Sequence, residues 1–137
     1  MKRYLLDTNI WIYAMNGHHP TVRKILETLP LDRVYLSDIV LDELAFGWEN
    51  STKPAVAKRK VEQFLAHFPC VSTDEATAKL YGQLRQSLQS QGAAIGMNDS
   101  WIASQALHHK MILVTHNTRE FGRVEGLALE DWTHHAD

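Results

Sequence analysis

The sequence predicts an α/β fold, a three-layer sandwich in which a short, mostly parallel central sheet is flanked by helices. Three observations predict it. Short β-like runs alternate with helical stretches of about 10–20 residues, the pattern of crossover-connected parallel strands. The runs, RYLL and MILVT among them, are continuously apolar rather than alternating, as strands covered on both faces are. The length of 137 residues, with 45% hydrophobic and 22% charged residues, suits one globular domain over residues 1–137.

The elements follow in order. Arg3–Leu6 reads as strand one, after which Thr8 or Asn9 can cap a helix to about Asn16, closed by Gly17. Pro20 opens a second helix to about Leu29. Val34–Leu36 is strand two, and Ser37 or Asp38 caps a strongly apolar helix to about Asn50. Pro54 starts a helix to about His67, which Pro69 ends. Cys70–Ser72 is strand three. Thr73 or Asp74 caps a helix to about Ser90, and the loop Gln91–Gly96 leads through Met97–Asp99 into a helix ending near His109. Met111–Thr115 is the fourth strand, and Leu127–Trp132 adds a last short one. No internal repeat or linker divides the chain.

Composition narrows the function. Fourteen basic against sixteen acidic residues give a net charge of −2, so no broad positive surface is implied and any nucleic-acid contact must be local. No apolar run approaches the roughly 18 residues of a membrane span. The opening MKRYLL stops being apolar at Asp7 and does not read as a secretory signal. The single cysteine, Cys70, cannot form an internal disulfide, which suits a reducing cytoplasm.

Open α/β sheets place their sites beyond the carboxyl ends of the strands, and acids stand there repeatedly. Asp7 directly follows strand one; a helix cap is its ordinary role, but Thr8 and Asn9 beside it cap equally well. Glu43 sits in DIVLDELAFGW, a helix apolar nearly all round and therefore expected to be buried, where a carboxylate is costly without a cation or donor. Gly47, one turn on, costs about 1 kcal/mol of helix propensity and leaves room for backbone or ligand. Asp99 opens NDSWIASQALHH, where the helix dipole alone favours an acid. Asn117, Thr118 and Glu120 follow the MILVT strand, and an exposed loop acid is the plain alternative for Glu120. Carboxylates converging in one crevice are tolerable only with bound cations or extra protons. Hard divalent ions, Mg²⁺ or Mn²⁺, suit an all-oxygen donor set, and phosphodiester hydrolysis is the chemistry that such a set supports.

The segments LLDTNIWIYAM, LSDIVLDELAFG, IGMNDSWIASQAL and ILVTHNTREFGRVEGL, in that order along nearly the whole chain, resemble the PIN-domain ribonucleases, and more closely the VapC-type toxins of bacterial toxin–antitoxin pairs. The combination is specific, whereas DTN alone is weak. The resemblance implies a PIN-like sandwich and an Mg²⁺- or Mn²⁺-dependent endoribonuclease, neutralised by a VapB-like antitoxin. Asp7, Glu43 and Asp99 match the family's first three acids. The fourth position is occupied by Asn117, with Glu120 as the substitute acid, and Trp101 replaces a commoner smaller residue. The implied assignment has Asp7 and Asp99 holding the metal, with Glu43 and Glu120 on a second ion or its waters. Thr8, Asn9, Thr115 and Asn117 help to orient them. Water activated by the metal cleaves the RNA, leaving 5′-phosphate and 3′-hydroxyl ends. Transfer RNA is the substrate by analogy.

Other residues are weighed and set aside. The histidine pairs His18–His19, His108–His109 and His134–His135 lack the i, i+4 spacing of a zinc helix, no cysteine cluster accompanies them, and the last pair reads as tail. His116 is a candidate phosphate contact. Lys53, Lys58, Arg59 and Lys60 form the one basic run, read first as a solvated helix face. Arg85, Arg119 and Arg123 are further RNA contacts to consider. Trp48 and Trp101 are base-stacking candidates, though core packing is the commoner role. Trp11, Ile12, Tyr13, Val22, Ile25 and Leu26 exceed what one sheet face needs, which predicts a homodimer surface and a groove for an antitoxin segment. A phospho-acceptor receiver domain is the competing doubly wound reading, but no lysine follows the fourth strand. A PIN-like scaffold with dead chemistry is the other alternative, because of Asn117.

Overall fold

The computed structural model describes residues 1–134. His135, in the last histidine pair, lies outside the described residues. The elements are β1 (Tyr4–Leu6), α1 (Thr8–Asn16), α2 (Pro20–Thr28), β2 (Val34–Ser37), α3 (Asp38–Glu49), α4 (Pro54–Leu65), β3 (Cys70–Val71), α5 (Glu75–Ser90), α6 (Met97–His109), β4 (Ile112–Val114), α7 (Thr118–Phe121) and β5 (Leu129–Glu130). The strands form one sheet of order β3-β2-β1-β4-β5, and every pair is parallel. β1 is central, with Leu5 opposite Tyr35 on one side and Leu113 on the other. Successive residues Leu5 and Leu6, and Leu113 and Val114, are fully buried, so helices cover both faces.

The order of the strands positions the site. The chain builds outward from β1 through β2 to β3, then crosses back to place β4 on the other side of β1. Neighbouring crossovers therefore leave in opposite directions from β1 and β4. Such a switch point opens a crevice beyond the carboxyl ends of those two strands.

Local chemistry explains most boundaries. Gly17 ends α1 at φ +75°, a backbone geometry open to glycine, and its N–H returns to the Tyr13 carbonyl. Ser37 and Asp74 cap α3 and α5 through their side chains. Three expectations are corrected. The cap of α1 is Asp7, not Thr8 or Asn9: its Oδ1 accepts the Ile10 N–H at 3.0 Å. The stretch after β4 contains a helical turn, α7, capped by Asn117. The helix carrying Glu43 is not buried all round: only Val40 and Leu44 are, and Phe46 is 70% exposed. The apolar surplus on α1 and α2 is also smaller than expected. Trp11, Val22 and Leu26 are core residues, and Phe64 and Phe68 pack edge-on to Trp11.

One polar network runs from the core to the surface. Gln105 is fully buried; its Oε1 accepts from Ser37 Oγ at 2.5 Å and its Nε2 donates to Asp38 Oδ1 at 2.7 Å. Asp38 in turn accepts from the Thr73 backbone N–H at 2.8 Å. The network ties α6 to the carboxyl end of β2 and to the start of α5. Gln105→Ala should therefore lower stability by about 2–3 kcal/mol, from a cavity and stranded partners. A denaturant midpoint unchanged from the parent would contradict that role.

Candidate active site

Asp7 leaves the end of β1 and Thr115 the end of β4, on either side of the switch point. The Thr115 hydroxyl donates to Asp7 Oδ2 at 2.6 Å. With Ile10 N–H on Oδ1, both carboxylate oxygens of Asp7 are held in fixed directions. Thr115 Oγ1 also accepts from the Asn117 N–H at 2.9 Å, so one hydroxyl organises both the acid and the following turn.

Glu43 stands one and a half turns into α3, and the Thr8 hydroxyl donates to its Oε1 at 2.8 Å. Asp99 lies in the first turn of α6. Glu120 reaches back from α7 to the same helix start: its Oε1 accepts the Gly96 N–H at 3.2 Å and its Oε2 accepts Asn117 Nδ2 at 2.7 Å. Asn117 thus holds Glu120 rather than facing the other acids alone. Asn9 is exposed and makes no side-chain hydrogen bond among the described residues.

The charges of Glu120, Asp7 and Glu43 bear on Asp99. The Asp99 carboxyl is pushed up to about 6, first by burial and then by the charges of Glu120, Asp7 and Glu43. Burial also raises Asp7; the hydrogen bonds from Thr115 and Ile10 pull it back, while Glu43 and Asp131 push it up again. Among the described residues no Lys or Arg nitrogen lies within 4.0 Å of any of the four. No three of them have carboxylate oxygens mutually within 4.8 Å. The acids ring the crevice instead of collapsing on a point. The donor set is all oxygen, uncompensated by protein cations, and one member holds its proton toward neutral pH. These features fit a hard divalent cation.

A groove of about 950 Å³ lies between α1, α3 and α4 and includes one of the acids, Glu43, in its lining. Thr8 and Glu43 form its inner end, and Ile12, Met15, Trp48 and Phe64 its apolar walls. Gly47 also lines it, and a Cβ there would meet nothing within 4 Å. The space beside Gly47 is the groove itself, not an approaching backbone. Trp101 has no part in the groove: its ring stacks on Tyr81 at 3.8 Å.

Fold and site together define a class, the metal-compatible nucleases built on a parallel α/β sheet with carboxylates at the switch point. The chain belongs to the PIN domain family, whose model matches residues 4–127, and within it to the VapC ribonucleases. It is 38% identical over 130 residues to ribonuclease VapC2 of Rickettsia felis, covering 94% of this chain and 97% of that one. It is 37% identical over 133 residues to the tRNA(fMet)-specific endonuclease VapC of Shigella flexneri, covering 97% of this chain and all of that one. The crystal structure of VapBC2 from Rickettsia felis bound to a DNA fragment from its promoter contains a chain that superposes with a TM-score of 0.87, at 38% identity over 94% of this chain and 98% of that chain. No helix among the described residues is long and apolar enough to cross a membrane.

Carboxylate repulsion makes a prediction about stability. The native Asp99 carboxyl lies above its ordinary value of 3.8, so the folded state binds more protons than the unfolded state between about 3.8 and about 6. Stability should fall as pH rises through that window. Asp99→Asn should then stabilise the metal-free protein at pH 7 by roughly 1 kcal/mol, allowing for solvent screening of a half-exposed group. The advantage should vanish toward pH 4. Thermal melts across that range check it, and a variant that melts lower at pH 7 would make Asp99 a structural cap.

Proposed function

We propose that this chain is a single-domain cytoplasmic endoribonuclease toxin that hydrolyses RNA with Mg²⁺, or Mn²⁺ in its place, and is neutralised by a VapB-like antitoxin. The observation that carries the reading is the set of four acids, Asp7, Glu43, Asp99 and Glu120, three of which bear on Asp99, with no Lys or Arg nitrogen within 4.0 Å among the described residues.

Asp7 and Asp99 would hold the principal ion, with Glu43 and Glu120 on a second ion or its waters. Bound there, a hard dication supplies an activated water and offsets charge on the phosphate. The rest is done by the chain's own residues. Thr115 and the Ile10 N–H fix the Asp7 oxygens. Thr8 orients Glu43, and Asn117 with the Gly96 N–H orients Glu120. Below about pH 6 Asp99 holds a proton that a cation must displace, which makes ion binding pH-dependent. Asn117 in the fourth position does not disable the site on this reading, because Glu120 brings the missing charge.

Transfer RNA is the substrate favoured, since the Shigella flexneri relative is named for cleaving tRNA(fMet). Antitoxin neutralisation is supported by the Rickettsia felis structure, a VapBC complex. The apolar groove ending at Glu43 suits an amphipathic antitoxin segment. A basic residue at the end of that segment would meet the carboxylates and compete with the metal. The half-buried apolar residues of α1 and α2, Ile12, Tyr13 and Ile25, leave a face for a homodimer.

Asp7→Ala should abolish Mg²⁺-dependent cleavage of RNA by the purified chain, with a loss of at least about 10³-fold. Sequencing the cleaved ends checks the product chemistry, and activity surviving the substitution would sink the mechanism. Trp48→Ser should keep cleavage but weaken neutralisation by the antitoxin about tenfold to a hundredfold. Equal neutralisation of both proteins would remove the groove from the interface.

A further inference from the structure

Beyond the acidic crevice, the fold assembles a second set of ligand-type side chains from two separate segments. His116 follows β4, Asp131 follows β5, and His134 lies three residues further on. His116 Nδ1 lies 3.0 Å and His134 Nε2 lies 3.1 Å from the same carboxylate oxygen, Asp131 Oδ2. All three atoms fall within 4.8 Å of one another. Ligands sharing a tetrahedral zinc ion at 2.0–2.1 Å stand roughly 3.3 Å apart, so the trio needs little rearrangement to take one.

The surroundings hold the trio together. Asp131 is anchored by Trp132, which is buried, packs on Tyr4 and accepts from the Thr21 hydroxyl at its carbonyl. Thr133 donates through its N–H and its hydroxyl to Asp131 Oδ1 at 2.9 and 2.7 Å, leaving Oδ2 to the imidazoles. Burial alone would raise the Asp131 carboxyl, yet the hydrogen bonds from Thr133 and His116 hold it below the ordinary carboxylate range, ready to bind as an anion. The His116 and His134 side chains are 55% and 72% exposed, so an ion has an entry path and room for water as a further ligand. A second trio, Asp74, His108 and His109, is looser, with His108 Nε2 3.8 Å from Asp74 Oδ2.

We propose that His116, Asp131 and His134 form a binding site for a transition-metal dication of the zinc class, separate from the all-oxygen acidic crevice. Two imidazoles and one carboxylate select a borderline ion over Mg²⁺. The site joins the turn after β4 to the segment after β5. It also places positive charge beside Asp131, whose carboxylate bears on Asp7.

The test uses the full chain stripped of metal and titrated with Co²⁺ in excess Mg²⁺, read by visible ligand-field absorption. One Co²⁺ per chain should bind and be displaced by Zn²⁺. His116→Ala and His134→Gln should each weaken binding roughly tenfold or more, with unchanged circular dichroism. Asp7→Asn and His108→Ala should bind as the parent does. The proposal is overturned if no Co²⁺ binds in excess Mg²⁺, if His116→Ala and His134→Gln bind like the parent, or if Asp7→Asn or His108→Ala loses the ion. Because the readout is binding and not cleavage, it stands apart from the nuclease reading.

Discussion

Carboxylates held partly out of water at the carboxyl end of a parallel sheet, with no Lys or Arg nitrogen within 4.0 Å among the described residues, are the feature on which the rest of the structure turns. Asp99 expresses it most plainly, since burial first and then the charges of Glu120, Asp7 and Glu43 push its carboxyl up. A fold that holds such a cluster must resist its tendency to spread. The resistance comes from hydrogen bonds to Asp7, Glu43 and Glu120 and from the packed elements that carry all four acids. Asp7 is gripped at both oxygens, Glu43 by Thr8, and Glu120 from two sides. The scaffold sets the directions of the Asp7, Glu43 and Glu120 carboxylates through these bonds.

The core makes that rigidity available. β1 lies in the middle of the sheet with fully buried residues on both faces, so the carbon skeleton leading to Asp7 has little freedom. The buried Gln105 network fastens α6, which carries Asp99, to the end of β2, from which α3 and Glu43 depart. The groove between α1, α3 and α4 is the counterpart of this order. Apolar residues that would close a core elsewhere are left facing open space that ends at Glu43. Acidic crevice and apolar groove therefore meet at Glu43.

Much of this was legible in the residues alone. Continuous apolar strands between capped helices identified the sheet; strand ends drew attention to Asp7 and Glu120 and an apolar helix to Glu43, while Asp99 joined the set only through the resemblance to PIN-domain ribonucleases. What resisted reading has physical causes. Thr8 and Asn9 are as good at capping as Asp7, and only the backbone direction after β1 decides which oxygen meets the Ile10 N–H. The α3 pattern DIVLDELAFGW looks buried because periodicity counts apolar residues and cannot tell a core from a groove. α7 is a single turn, too short for any periodic signal. The trio of His116, Asp131 and His134 escaped because spacing rules search along one element, whereas these residues meet across two strand ends. Asn117 read as a lost acid, and its role in holding Glu120 emerges only from the turn that brings the two together.

The most direct measurement is the titration of the Asp99 carboxyl itself, followed by carbon NMR in the metal-free protein. A midpoint near 6, dropping when Glu120 is replaced by glutamine and dropping again when Mg²⁺ is added, is the expected result. An ordinary midpoint near 3.8 that neither change moves would mean that these acids do not share a crevice.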